Sequence, residues 1–508
     1  MPAYVVGDRP EAGLSTAAST RNGGGANREQ VFVQACDGRR PTPTNPRRRR
    51  CRGARLRGAA AFSAGHGILC VMKTLSFRAA IGRVVVLVAL CVCGVRSRAA
   101  EAPAQPRDWP RWRGVDGAGA GGAATFPHAW QQSDWAWTAT LPGQGHASPV
   151  IWRGRIYTAS ADEASGRRFV SCHATADGQS VWQREIPGPI EPHHAQNSSA
   201  SGSVTVDQAG VYWLWATKEQ LRVEAFAHDG EPKWHVDLGP YASEHGFGAS
   251  AAVWRDRLIV PIDQDAESAV VALDTASGRE VWKLPRRTAR TSYATPLVIE
   301  GRGEGSQAVV VLASMSHGLT GIDPATGRVL WERKCFPKRT VSSPVAAGPF
   351  VIGTCGEGGG DNMLVAVRPG TLAAPGDPQS DGGPQPPEPE LAYQLDRSVA
   401  PYVPTPVCSG RRLYLWGDRG VVTCVAVDDG SVLWRGRVGG IFSASPIVVG
   451  GTVVNTSAEG EIVVLADGDA FEVLGRTSLG EPCRATAAVA DGKLFFRSVG
   501  RLHALDAR

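Results

Sequence analysis

The stretch 270–286, VVALDTASGREVWKLPR, decides the fold: apolar residues alternate, the chain turns at Gly278, and a tryptophan follows at Trp282. The phrase returns as VSCHATADGQSVWQREI (170–186), VEAFAHDGEPKWHVDLG (223–239), LTGIDPATGRVLWERK (319–334) and VTCVAVDDGSVLWRGRV (422–438). Trp182, Trp234, Trp282 and Trp331 follow one another at steps of 52, 48 and 49 residues. Self-similarity at such a period marks a propeller or a solenoid.

Each unit reads as four short antiparallel strands, because apolar and polar residues alternate, β-branched side chains abound and glycine marks the turns. In the first unit these are SPVIW (148–152), RIYTAS, FVSCHA and SVWQREI. The inner strand recurs as GASAAVW, YATPLVI, SSPVAAG, PTPVCS and ASPIVVG, with proline at the strand start, where a missing N–H breaks no ladder. Gly178, Gly230, Gly278, Gly327 and Gly430 close the last hairpin of their units, where φ must be positive. The tryptophan after each glycine predicts a ring wedged between neighbouring sheets.

Weakened copies complete the count. One unit puts Tyr393 in the tryptophan place after a Pro/Gly-rich insert (371–390) whose composition is that of a disordered loop. Another has Leu474 there, and 487–508 supplies only three strands. The fourth strand is found far upstream in DWAWTATLPG (134–143), with Trp137 in the tryptophan place. The expected fold is all-β: a single eight-bladed β-propeller over 130–508, with four-stranded antiparallel blades, closed by an N-terminal strand that completes the last blade and removes the sheet edges.

Charge is unevenly spread. The whole chain has 54 basic and 48 acidic residues, but 1–100 holds 17 basic against 4 acidic, leaving 37 against 44 in the rest. A repeat region of net −7 gives no electrostatic basis for nucleic-acid binding. From Met72, basic residues, the short apolar run VVVLVALCVCGV (84–95) and small residues at Ser97 and Ala99 have the form of a signal peptide over 72–100, too short to span a membrane. The mature chain is expected to be exported to the periplasm or envelope, as a monomer without a transmembrane helix. Leu90 and Val92, preceding Cys91 and Cys93, are too large for a lipobox. Residues 1–71 read as a basic extension, either an over-extended start or a disordered arm, and 101–129 as a Trp/Gly-rich extension packing on the propeller. The six cysteines beyond residue 100 show no CxxC pair. An oxidising compartment would allow one or two disulfides, but their pairing is not written in the spacing.

The units VALDTASGREVW and GIDPATGRVLW resemble the AxDxxTGxxxW signature of the PQQ-like propeller repeat family. That family includes pyrroloquinoline-quinone-dependent alcohol dehydrogenases and the lipoprotein of the outer-membrane β-barrel assembly machinery. The opening DWPRWRGVDGAGA (108–120), with NSSASGSVTVD and GFGASAAVW, is similar to secreted PQQ-binding-like proteins of planctomycete type. The resemblance implies a fold more than an activity. Its dehydrogenases use adjacent cysteines, a calcium site, an Asp base and a Trp floor, and no adjacent cysteines occur beyond residue 100. Asp263, Gln264 and Asp265 offer hard oxygens, but consecutive strand residues face opposite ways, and turn carboxylates in water are the plainer reading.

Loops between blades gather at one face of such a ring. There His193, His194, Gln196 and Asn197 are expected to meet His245, Asp263, Gln264, Asp265 and His317 around the central channel as a candidate ligand-binding site. No catalytic or metal set is spelled out, and no cofactor is expected. The expected function is a non-catalytic, exported scaffold binding envelope proteins or a small polar ligand. The alternative is a PQQ- and calcium-dependent oxidoreductase of alcohols or sugars.

Overall fold

The computed structural model describes residues 107–288, 290–301, 307–358, 360–369 and 387–508. The extension 1–71, the leader 72–100 and most of the 371–390 insert lie outside the described residues. Eight four-stranded antiparallel sheets form the blades of one propeller. Blades 1 to 7 occupy 150–187, 205–237, 252–287, 297–333, 345–395, 407–437 and 447–478. Blade 8 takes its three inner strands from 488–506 and its outer strand from Trp137–Thr140, paired as Trp137↔Ala504 through Thr140↔Arg501. The only helix among the described residues is the short 3-10 turn Gln132–Asp134.

The repeated glycine and tryptophan meet across blades rather than within one. The indole of Trp182 in blade 1 lies against Gly230 in the turn of blade 2, where a Cβ would stand 2.6 Å from the ring. Gly178 meets Trp137 in the same way at 2.5 Å, Gly278 meets Trp234 at 2.7 Å, and Gly327 meets Trp282 at 2.6 Å. Each indole N–H then donates to a turn carbonyl of the next blade: Trp137 to Thr175 (3.0 Å), Trp182 to His228 (2.9 Å), Trp234 to Thr275 (3.2 Å), Trp282 to Pro324 (3.0 Å). These turn glycines have φ between 73° and 89°. Two constraints therefore fall on one residue: a left-handed backbone and no room for a side chain.

The residue opposite each ring on the third strand is small: Cys172, Ala225, Ala272, Gly321, Ala366, Cys424 and Ala504. Cys172 and Cys424 thus serve as small apolar side chains. All six described cysteines are free, so the disulfides that an oxidising compartment would allow are absent among them. Burial pushes the Cys172 thiol up to about 11 and the Cys424 and Cys483 thiols up to about 12.

Departures from the repeat have local causes. Trp331 finds no partner for its indole N–H among the described residues, and the turn position it would reach in blade 5 falls in the insert. Leu474 stands where blade 8 has no turn to receive an indole, since its outer strand comes from 137–140.

A mutation pair isolates the glycine contact. Gly451→Ala, at φ 77° with nothing within 4 Å of the new Cβ, is expected to lose about 1 kcal/mol from backbone strain alone. Gly278→Ala, at φ 73° and against Trp234, should lose about 2 kcal/mol more in urea unfolding.

A second expectation concerns ring closure under acid. His503 is 2% exposed, and its Nδ1 lies 3.2 Å from Thr138 Oγ1 on the closing strand. Burial lowers its pKa from 6.5 to about 4. The unfolded chain therefore binds the extra proton first, and stability falls as the pH drops from about 6.5 towards 4. Between pH 7 and 4.5 the wild type should lose on the order of 2 kcal/mol more than His503→Gln, read from urea midpoints at both pH values.

Candidate functional site

The innermost strand of a blade has no neighbour on its channel side, so the N–H at its start needs another acceptor. Each blade offers a hydroxyl residue there: Ser148, Ser203, Ser250, Thr295, Ser343, Thr405, Ser445 and Thr486, all buried. The backbone N–H of one donates to the hydroxyl oxygen of the next. The contacts Ser148 to Ser203, Ser203 to Ser250, Thr295 to Ser343, Ser343 to Thr405, Thr405 to Ser445 and Thr486 to Ser148 are 2.9 Å, and Ser445 to Thr486 is 3.0 Å. Seven of eight junctions are joined in this way, including the one that closes blade 8 on blade 1.

Residues 109–122 fill the bore of this ring. Trp109 exchanges two backbone bonds with Ile151 of blade 1, at 2.7 and 2.9 Å, and Pro110 accepts from Val206 of blade 2. Arg111 donates to Pro296 O of blade 4, Arg113 to Thr405 O of blade 6, and Gly119 and Gly121 bond Val448 of blade 7. Trp109 therefore packs into the core, while Trp112 lines the cavity above. The Trp/Gly-rich extension expected to pack on the propeller is thus drawn into its bore by backbone pairing. Arg111 and Arg113 are 4% and 0% exposed, and burial lowers them to about 10 and about 9. Both remain charged at neutral pH.

Above the hydroxyl ring opens a cavity of about 1130 Å³. Its walls carry six arginines and three carboxylates. Glu244 accepts from Arg290 and Arg339, both at 2.8 Å, and Arg339 holds its carboxyl below the usual range. Glu357 pairs with Lys338 at 2.7 Å. Asp418 accepts the backbone N–H groups of Tyr402 (2.9 Å) and Val403 (3.0 Å), while burial raises its pKa. His146 is pushed down to about 4 by burial and then by Arg497 and Arg484, so it is neutral at pH 7. Burial, followed by Arg339, also lowers His245.

Of the nine residues read from the sequence as channel-facing, His194, Gln196, Asn197 and His245 line this cavity. The His194 and His245 rings lie 4.9 Å apart, and Asn197 Nδ2 donates to His245 O and Phe247 O. The other five are held elsewhere. His193 turns the other way, onto Glu163 at 2.7 Å, and lines a second cavity of about 380 Å³ walled by Trp215, Tyr241 and Phe247. His317 bonds Glu332 at 2.8 Å. Gln264 is buried and ties the backbone of Ala242 and Glu267. Asp265 accepts from Thr291 N and Glu244 N. Asp263 is not the solvated turn carboxylate expected, for it pairs with Arg286 at 2.7 Å with both side chains about 3% exposed or less. Arg286 also donates to Ser314 and Thr320 hydroxyls.

The sequence reading missed the hydroxyl ring and the arginines. The former had a signal, a Ser or Thr at the start of every inner strand; the latter lie on separate loops and one outer strand and share no motif.

The family model described as outer membrane protein assembly factor BamB matches residues 219–371 and 390–508. Among solved structures, BamB from Moraxella catarrhalis is 16% identical, with a TM-score of 0.51, over 72% of this chain and 97% of its own. The computationally designed Ika8 protein is 11% identical, with a TM-score of 0.51, over 73% and 99%. A europium-containing methanol dehydrogenase is 10% identical, with a TM-score of 0.46, over 79% and 98%. At these identities the likeness speaks to fold alone. No curated protein matches the sequence.

The Asp263–Arg286 pair yields a stability test. Arg286→Met leaves Asp263 buried without its partner and is expected to lose about 3–5 kcal/mol in urea unfolding. Asp263→Leu combined with Arg286→Met should recover most of that loss, because no unpaired charge remains.

Proposed function

Because the chain belongs to the BamB-type family of PQQ-like repeat propellers, we propose that it is a non-catalytic binding scaffold of the cell envelope, exported by the 72–100 leader. The observation that carries this reading is the loop-lined polar cavity at one face of a ring whose bore is filled by its own residues 109–122. A ring plugged in this way offers one recessed surface for recognition. Among the described residues no helix is long and apolar enough to cross a membrane.

The alternative carried by the resemblance is pyrroloquinoline quinone with calcium. The arginines and Trp112 suit a planar polycarboxylate, but the calcium half of the pair does not fit the donors present. Calcium takes six to eight oxygens, whereas Glu244, Glu357 and Asp418 are each engaged by protein donors. No group of three His, Cys, Asp or Glu among the described residues converges as metal ligands do.

Two measurements separate the readings. Titration of the purified protein with the quinone and Ca²⁺ should leave the quinone spectrum unchanged, and dye should not be reduced by alcohols or aldoses. Stoichiometric binding with dye reduction would overturn the scaffold reading. Cross-linking in intact cells should join a defined envelope protein to residues of the cavity rim, and N-terminal sequencing should find the mature chain starting near residue 100. A mature chain retaining 1–71 would sink the export route.

A further inference from the structure

The body of the protein beyond residue 100 has net charge −7, yet its main cavity has twice as many arginines as carboxylates. The imbalance is sharper once paired groups are set aside. Arg290 and Arg339 share Glu244, which cancels one of their two charges, and the other four, Arg397, Arg419, Arg435 and Arg484, have no ion-pair carboxylate among the described residues. The first three are exposed and have no ion pair or hydrogen bond among the described residues; Arg484 makes one bond, to Ser443 Oγ at 3.2 Å. All four stand on one arc of the ring. Arg397 follows the outer strand of blade 5, Arg419 lies in the middle turn of blade 6 and Arg435 on its outer strand, and Arg484 joins blade 7 to blade 8.

Depth matters as much as sign. The deep wall is made of hydroxyls, most of them already used to join blades, together with a neutral His146, and Arg113 and Arg497 are fully buried and do not line it, so it presents no guanidinium to a ligand. The free guanidiniums sit at the rim, spread over neighbouring blades, with the apolar Ile441, 40% exposed, beside them. A compact anion would need its charges met at depth. An extended chain of carboxylates with apolar residues between them is met along the arc, each guanidinium presenting a fork to one carboxylate. The geometry points to an acidic peptide segment of a partner protein as the occupant of this rim. The assignment rests on the reading above that this face is the binding face.

The test uses the full-length mature protein and a fluorescent oligoglutamate peptide, followed by anisotropy at low and at physiological salt. The peptide should bind, lose affinity as salt rises, and be lost by roughly tenfold or more in Arg397→Glu/Arg419→Glu. Lys283→Glu, the same charge reversal as either single arginine substitution but on the exposed outer strand of blade 3, should leave binding within about twofold. Oligolysine should not bind. Unchanged thermal unfolding shows that the double variant folds; should it not, Arg397→Glu and Arg419→Glu are read singly. Absence of peptide binding at low salt overturns the assignment, as does an equal loss in Lys283→Glu. So does citrate or tripolyphosphate binding more tightly than the peptide, which would make the site one for small anions. Cross-linking of an envelope partner that survives Arg397→Glu/Arg419→Glu also overturns it while leaving the scaffold reading standing. Peptide binding that meets every condition, with no envelope partner cross-linked, upholds the acidic specificity and sinks the scaffold reading alone.

Discussion

Every blade of a propeller leaves one strand edge facing its axis, and this structure depends on how those eight edges are satisfied. The inner strands are short, mostly three residues, which limits the unpaired backbone each one exposes. At seven of the eight junctions the N–H at the strand start is handed to a hydroxyl of the next blade, so the donor that would be orphaned within one blade becomes a bond between two. A chain of such bonds is satisfied throughout only when it closes. The bond from Thr486 to Ser148 therefore does for the bore what Trp137–Thr140 does for the rim: both tie the last blade to the first. Residues 109–122 complete the same task, because Trp109 and the glycines at 119 and 121 pair with inner-strand backbone at Ile151 and Val448.

At the outer radius the coupling is steric. An indole held between a glycine turn of the next blade and a small residue of its own third strand fixes the spacing of two sheets at one point. Its N–H bond to the turn carbonyl fixes the angle as well. The inner bond and the outer wedge lie at opposite ends of a blade, so a junction that has both is pinned twice. Where the turn is replaced, as for Trp331 and Leu474, the outer pin weakens and the inner hydroxyl remains: Ser343 accepts from Thr295, and Thr486 accepts from Ser445.

This division explains what the sequence made legible. Gly178, Trp182 and their copies could be read because a contact repeated at each junction leaves a period in the chain. The closing strand at Trp137 was readable because it carries the same ring without a preceding blade. The placement of single polar residues was not. Asp263 reads as a turn carboxylate until Arg286, 23 residues away on the outer strand of the same blade, folds beside it. His193 and His194 are neighbours in sequence, and the local backbone sends one to Glu163 and the other to His245. The hydroxyls at 148, 295, 343, 405 and 445 were visible but overshadowed by the prolines that follow them, whose role at a strand start accounts for those segments on its own, while those at 203, 250 and 486 stand before valine or alanine.

The charge of the cavity follows from the same architecture. Arg113 and Arg497 are fully buried, and each donates to backbone carbonyls, Thr405 and Ala118 for the first and Ala147 and Ala159 for the second, while Nε of both and Nη2 of Arg497 find no partner among the described residues. Neither has a carboxylate partner within an ion pair among the described residues, so the positive charge each brings to the bore is solvated by peptide dipoles and left uncancelled. Such a field is fixed in place, since the groups that hold it are the strands themselves. Burial first, then Arg497, depresses His146 and leaves that ring neutral, so a change of pH above about 4 does not add to the charge there. The cations that remain free to meet another molecule are then exposed ones on the loops and on one outer strand, at positions the repeat does not constrain. Scaffold and specificity are thus separated in radius and depth: the period of the chain writes the ring, and the residues outside the period write the sign of what it can hold.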